Sequence, residues 1–282
     1  MNKRLTINST TLKVIAMILI LIDHIGFFLI PITAETQLIY MLFRGVGRLG
    51  FPLYAFFIVE GIFYSKNINK YLRRIFALVV LIFAFQASIF FTPLSASIDI
   101  SQAYNVFLTL FTGATAVAYF HQKKYKHIYL LIPLAAMITT NILEFFVPGK
   151  WTIFLVNEYR LYGIAIIIGF YIARVFTPHV VSNLKTYHQV SHSGLDSAPY
   201  IQQINNYLSS ISLLFINIVW YILTVTISDF PFDPFQTYSI FTAILILMYN
   251  GLKGYQPVWF KWVYYLYYPV HLAILAIISF LL

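Results

Sequence analysis

The chain has 282 residues, 60% of them hydrophobic and only 10% charged, with a mean hydropathy of +0.80. So much apolar surface exceeds what a soluble core can bury, which excludes an ordinary soluble enzyme and predicts a polytopic membrane protein. The net charge of +9 raises nucleic acid only until the basic residues are placed, and the absence of cysteine excludes disulfides, thiolate metal sites and a cysteine nucleophile.

A helix of about 20 apolar residues crosses a hydrocarbon core of about 30 Å. Stretches near 11–30, 40–64, 71–92, 103–120, 127–147, 157–176, 209–228, 235–250 and 262–282 meet or approach that length. They predict an all-α bundle of about nine transmembrane helices, within a range of eight to ten, forming a single membrane domain over 1–282 without internal repeats. The first run follows Lys3 and Arg4 with no small-residue cleavage site and is too long for a signal-peptide core, so it is expected to be retained. With the N-terminus in the cytoplasm, Lys3, Arg4, Lys66, Lys70, Arg73, Arg74, Lys123, Lys124, Lys126, Arg174, Lys185, Lys253 and Lys261 share one side. Glu35, Asp99, Lys150, Asp229 and Asp233 fall on the other. This asymmetry is the positive-inside pattern, and it accounts for the basic charge without nucleic acid.

The first span, "LKVIAMILILIDHIGFFLIP", carries Lys13, Asp23 and His24. Lys13 and His24 are about 16 Å apart on one helix face. Lys13 can snorkel to the cytoplasmic surface, whereas Asp23 and His24 lie past the middle, where a charge is costly and needs a partner or a polar cavity. Histidine suits proton acceptance near neutrality, against the plainer reading of a packing residue bonded to a neighbouring helix. Asp23 projects about 100° away from His24, so a salt bridge to another helix suits it better than orienting the imidazole.

The second span, "RGVGRLGFPLYAFFIVEG", supplies Arg44 and Arg48, four apart, which need anions from Asp23, Glu60 or a ligand phosphate or carboxylate. Its "GVGRLG" matches GxGxxG formally. Without a strand before it and a soluble βαβ unit around it, close helix packing by Gly45, Gly47 and Gly50 is the better reading. Glu60 ends the apolar run and is expected near the cytoplasmic headgroups, beside Lys66 and Lys70. Asn105 opens span four, and Glu158, Tyr159 and Arg160 open span six, as groups at a cavity mouth or as anchors at headgroup level.

After span six a polar stretch at about 177–210 reads as a cytoplasmic loop, mobile or partly helical. Its His179, His188 and His192 match no standard metal-ligand spacing, and no metal is expected. The last span, "WFKWVYYLYYPVHL" onward, opens with interfacial aromatics and is interrupted by Pro269 and His271. His271 is a second intramembrane histidine, a candidate for the chemistry or for bonding to backbone freed by the proline.

Together "LKVIAMILILIDHIG", "GRLGFPLYAFFIVEG", "NVFLTL", "EYRLYG" and "YLYYPVHL", in this order, resemble the TraX family, whose named member N-acetylates the pilin subunit of conjugative plasmids. That family is similar in turn to membrane acyltransferases that acetylate sugars and share a basic residue, ten intervening residues and a histidine in the first span. The resemblance implies a bacterial cytoplasmic-membrane enzyme, an acetyltransferase using cytoplasmic acetyl-CoA, with His24 as the catalytic histidine and Lys13 as the basic residue. Arg160 and the long polar stretch depart from that pattern.

The residues fit this chemistry. Acyl transfer needs a base, donors for an oxyanion, and exclusion of water. His24, with Asp23 beside it, is the candidate catalytic set. Lys13, Arg44, Arg48, Glu60, Asn105, Glu158, Tyr159, Arg160 and His271 are candidates for contact with substrate or coenzyme A. The expected partners are membrane lipids, acetyl-CoA and a peptide or glycan acceptor. Spacing leaves open whether His24 acts as a base in a ternary complex or carries the acetyl group. The rival readings are a proton-coupled transporter of a small solute and a noncatalytic membrane scaffold.

Overall fold

In a computed structural model, residues 6–91, 105–123, 125–146, 158–188, 197–227 and 234–281 are described. Lys3, Arg4, Asp99, Lys124, Lys150, His192, Asp229 and Asp233 lie outside them. The helices are α1 (Ser9–Leu29), α2 (Gln37–Gly47), α3 (Gly50–Tyr64), α4 (Ile68–Phe90), α5 (Val106–Gln122), α6 (Ile132–Phe146), α7 (Arg160–His188), α8 (Ala198–Thr226), α9 (Thr242–Leu247) and α10 (Val258–Leu281). Short 3-10 turns, Tyr125–Leu131 and Pro234–Phe241, lead into α6 and α9.

The chain is a polytopic helical membrane protein. Among the described residues, six helical segments are long and apolar enough to cross a bilayer: α1, α2 continuing into α3, α4, α7, α8 and α10. The nine stretches expected from hydropathy all fall on helices, and those holding α5, α6 and α9 carry the shorter ones.

Local chemistry sets the ends. Asn8, Asn67 and Asn105 cap α1, α4 and α5, each side chain accepting from the backbone N–H three residues on. α1 stops at Ile30, which is extended because Pro31 follows it. The stretch at 177–210 is more helical than a loop. α7 runs on through Pro178 to His188 and α8 starts at Ala198, so only a short segment joins two long helices.

α8 shows the inside-out logic of a membrane bundle. Ile211, Phe215, Ile218, Ile222 and Val225 form an exposed apolar stripe, while Gln202, Asn206, Ser209 and Asn217 face inward. The apolar stripe suits lipid, and Gln202, Asn206 and Asn217 find partners within, as when Asn206 Nδ2 donates to the Tyr249 carbonyl. α3 is the central helix, buried from Phe51 to Ile62 and packed on α1, α5 and α7.

The segment before α1 is stitched to the one after α9. Ile7 N–H donates to the Met248 carbonyl at 2.7 Å, and Asn250 N–H to the Ile7 carbonyl at 2.9 Å. The start of α1, the end of α3, Arg174 of α7, Gln202 of α8 and Lys253 therefore gather at one end of the bundle.

Candidate functional site

α1 places Lys13 and His24 on one face but in different cavities. Lys13 lines a cavity of about 690 Å³ at the end of the bundle near the N-terminus, together with Ser9, Glu60, Tyr54, Lys253 and Tyr264. Its ammonium lies over the rings of Phe57 and Tyr264, 5.2 and 5.3 Å from their centroids, so the aromatic wall holds the charge that the aliphatic stem carries inward. Two lysines on a cavity of this size suit an anionic ligand of cofactor dimensions.

Toward the other end, His24 lines a small cavity of about 40 Å³ with Phe28, Arg44, Gln86, Glu158 and Tyr268. His24 is buried, and its Nδ1 lies 2.7 Å from Nε2 of His271, which reaches it from α10. His271 Nδ1 in turn lies 2.7 Å from the Tyr267 carbonyl oxygen. The bond to Tyr267 is local, as expected of a histidine near Pro269, but the carbonyl is not the Tyr265 one that the proline leaves without its helical donor. Tyr268 presents its edge to both imidazoles, at 5.3 and 5.4 Å. It also packs edge-on against Phe107, at 5.0 Å, and Phe107 lines the large cavity. An aromatic wall of Phe107 and Tyr268 thus stands between the two cavities.

The charges beside His24 answer one another. Arg44 Nη1 donates to Asp23 Oδ2 at 2.9 Å, so the carboxylate next to the histidine is tied to α2 and not to the imidazole. Gly47 permits this: a Cβ there would lie 2.2 Å from Asp23 Cβ, so only a bare backbone lets α2 approach α1 so closely. Gly50 does the same against Ile20, whereas Gly45 meets Tyr238 at ordinary contact distance. Arg48 follows Arg44 by one helical turn, its N–H donating to the Arg44 carbonyl at 3.1 Å. It caps α2 at the turn into α3 and is buried. Glu158, expected as a cavity-mouth group, interacts electrostatically with Arg48 first and with Asp23 and Arg44 as well. Of these groups Asp23 and Arg44 form the ion pair, so the carboxylate next to His24 is met within the chain.

The other candidates scatter. Glu60 is buried, and its Oε1 lies 3.7 Å from Arg174 Nε. Arg174, counted from the sequence only as a topology signal, also donates to the Tyr64 hydroxyl at 3.0 Å. Asn105 accepts from Leu108 N–H as the α5 cap and donates to the Val79 carbonyl at 3.0 Å, which commits its amide to structure. Tyr159 stacks on Phe51 with centroids 3.7 Å apart. Arg160 begins α7 with a left-handed φ of 45°.

Sequence reasoning missed Tyr268 and Gln86 at the small cavity and Lys253 as a lining residue of the large one. Tyr268 carried a signal, since it lies three residues before His271 and so on its helix face.

The family model described as "TraX protein" matches residues 8–178, which hold α1 through most of α7 and every candidate residue except His271. Over 75 residues the chain is 39% identical to the Dichelobacter nodosus protein named "Probable fimbrial assembly protein FimC, serogroup H1". That stretch covers 27% of this chain and 30% of the relative, so the match spans less than a third of the relative's length. No solved structure matches the chain. With a match that runs from α1 through most of α7 and covers more than half of its length, the chain belongs to the TraX family.

Proposed function

We propose that this protein is a membrane-embedded acetyltransferase that takes an acetyl group from cytoplasmic acetyl-CoA and passes it to an amine or hydroxyl of a membrane-associated or extracytoplasmic acceptor. One observation carries the reading: a buried histidine that, among the described residues, engages a partner through Nδ1 alone lies on the same face of α1 as a lysine that lines a cofactor-sized cavity. Membership of the TraX family supports the same chemistry. The fimbrial-assembly name of the D. nodosus relative favours a pilin-like peptide N-terminus over a glycan as acceptor.

In this mechanism Lys13 and Lys253 hold the phosphates of the donor in the large cavity, which faces the cytoplasm with the basic ends of the helices. The acceptor nitrogen or oxygen attacks the thioester carbonyl carbon while His24 Nε2 takes its proton. The C–S bond then breaks, and the leaving thiolate receives the proton back from His24 as CoA-SH. Arg44 lines the small cavity with His24, in position to oppose the developing oxyanion. The apolar bundle excludes water, which would otherwise hydrolyse the thioester.

The test is His24→Gln in purified protein given radiolabelled acetyl-CoA and membrane fractions. Glutamine keeps similar size and one amide but takes up no proton at neutral pH. Acetyl transfer should fall by about 10²–10⁴-fold, the usual worth of a general base. The melting temperature in detergent and the affinity for coenzyme A should be retained. Transfer within a few fold of the parent removes His24 from the mechanism.

A further inference from the structure

His271 was a candidate for substrate contact, and the geometry points elsewhere: we propose that His271 is a positioning residue that fixes the tautomer of His24 and so directs the bare nitrogen of His24 toward the acceptor. The inference rests on His24 being the base.

The proton pattern follows from a single carbonyl. Tyr267 O lies 2.7 Å from His271 Nδ1, and a carbonyl oxygen only accepts, so Nδ1 of His271 carries the hydrogen. In an uncharged imidazole the other nitrogen, Nε2, is then an acceptor. Nε2 lies 2.7 Å from His24 Nδ1, and a hydrogen bond at that distance needs one proton, which must belong to His24. His24 is therefore protonated on Nδ1 and holds its lone pair on Nε2. The relay reads Tyr267 carbonyl, His271, His24, with every nitrogen but the last one spent.

The rings are held for this. His271 stacks on Tyr267 at 4.7 Å and 29°, and Tyr268 meets both imidazoles nearly at right angles, 79° to His24 and 86° to His271. Asp23, the carboxylate next to His24 in sequence, gives Oδ2 to Arg44 and makes no hydrogen bond to the imidazole. A neutral orienting group also avoids burying a further carboxylate beside Asp23. When His24 accepts a proton on Nε2, its Nδ1–H bond to His271 becomes charge-assisted and stronger, and no proton has to leave. His271 does not line the large cavity, so donor binding should be indifferent to it.

The experiment uses two variants and one spectrum. His271→Phe keeps a ring but removes the acceptor. His271→Gln places an amide oxygen where Nε2 lies and can still accept from His24. We expect kcat for acetyl transfer to fall by about 10²–10⁴-fold in His271→Phe, as wrong-tautomer variants do, with KM for acetyl-CoA unchanged. His271→Gln should recover kcat to within about tenfold of the parent, a modest residual loss for a looser neutral bond.

The ¹⁵N spectrum of histidine-labelled parent protein, with His24 assigned from its absence in His24→Gln, should show Nδ1 protonated and Nε2 bare. It reads the tautomer without reference to activity and needs no folded His271 variant. Protonation on Nε2 in the parent overturns the proposal. So does transfer within a few fold of the parent in His271→Phe, or damage in His271→Gln as severe as in His271→Phe. The expected spectrum without any transfer by the parent leaves the tautomer standing and refutes the acetyltransferase reading beneath it.

Discussion

Replacing Gly47 by alanine should destabilise the protein far more than the same change two residues earlier. The added Cβ would sit 2.2 Å from Asp23 Cβ and 2.6 Å from Asp23 Cα. Because a backbone atom is involved, no rotamer change clears the clash. Carbon atoms in contact need about 3.5 Å, so α1 and α2 must part by about 1.3 Å there. That stretches the 2.9 Å Arg44–Asp23 bond beyond useful length. Overpacking costs about 1–3 kcal/mol and breaking a buried ion pair about 3–5 kcal/mol, while alanine returns about 1 kcal/mol of helix propensity. The net loss is at least about 3 kcal/mol, or a fall of roughly 6–12 °C in the melting temperature for a chain of this size. At Gly45 the new Cβ meets the Tyr238 ring at 3.6 Å, an ordinary contact, so Gly45→Ala should stay within about 1 kcal/mol of the parent. Thermal unfolding of both variants in one detergent is the assay. Equal melting temperatures would refute the claim that this glycine sets the α1–α2 approach. Acetyl transfer should also drop in Gly47→Ala, because His24 follows Asp23 in the chain.

Two further outcomes are expected. Asp23→Asn and Arg44→Gln should each lower the melting temperature, and the double variant should lose less than their sum, with a coupling of about 0.5–3 kcal/mol; strict additivity would mean that the 2.9 Å pair carries nothing. For topology, an alkaline phosphatase fusion in the segment between α7 and α8 should be inactive and one near Asp99 active, and the reverse result would turn the bundle over.

The fold was legible because each helix is an apolar run bounded by charges, prolines or asparagine caps, signals that act within one segment. Helix contacts were less legible, since they depend on which faces meet. Asp23 was expected to pair with Arg44 or Arg48, and it pairs with Arg44. That choice turns on Gly47, whose missing side chain is a property of the α1–α2 crossing and not of either helix alone. The partner of Glu60 was equally hidden: Arg174, more than a hundred positions away, lies beside it in the bundle. Periodicity places a residue on a face without naming what it faces. The His24–His271 pair shows the same limit: both were visible as rare intramembrane histidines, yet nothing in either span says that α1 and α10 are neighbours.

The arrangement of charge also weighs on the choice between transfer and transport. A proton-coupled transporter needs titratable groups linked from one end of the bundle to the other, and a path wide enough for its whole solute. Here Asp23 and Arg44 pair beside His24, while Glu60 and Arg174 answer each other at the Lys13 end. Between the two groups stand Tyr54, Tyr264, Phe107 and Tyr268, rings that stack or meet edge-on and carry no charge. Group transfer asks much less of that wall. Only a thioester at the tip of a narrow arm must pass Phe107 and Tyr268, and the acceptor needs room beside His24 for a single amine or hydroxyl. A cavity of about 40 Å³ is of the size for such a group and far too small for a solute in transit.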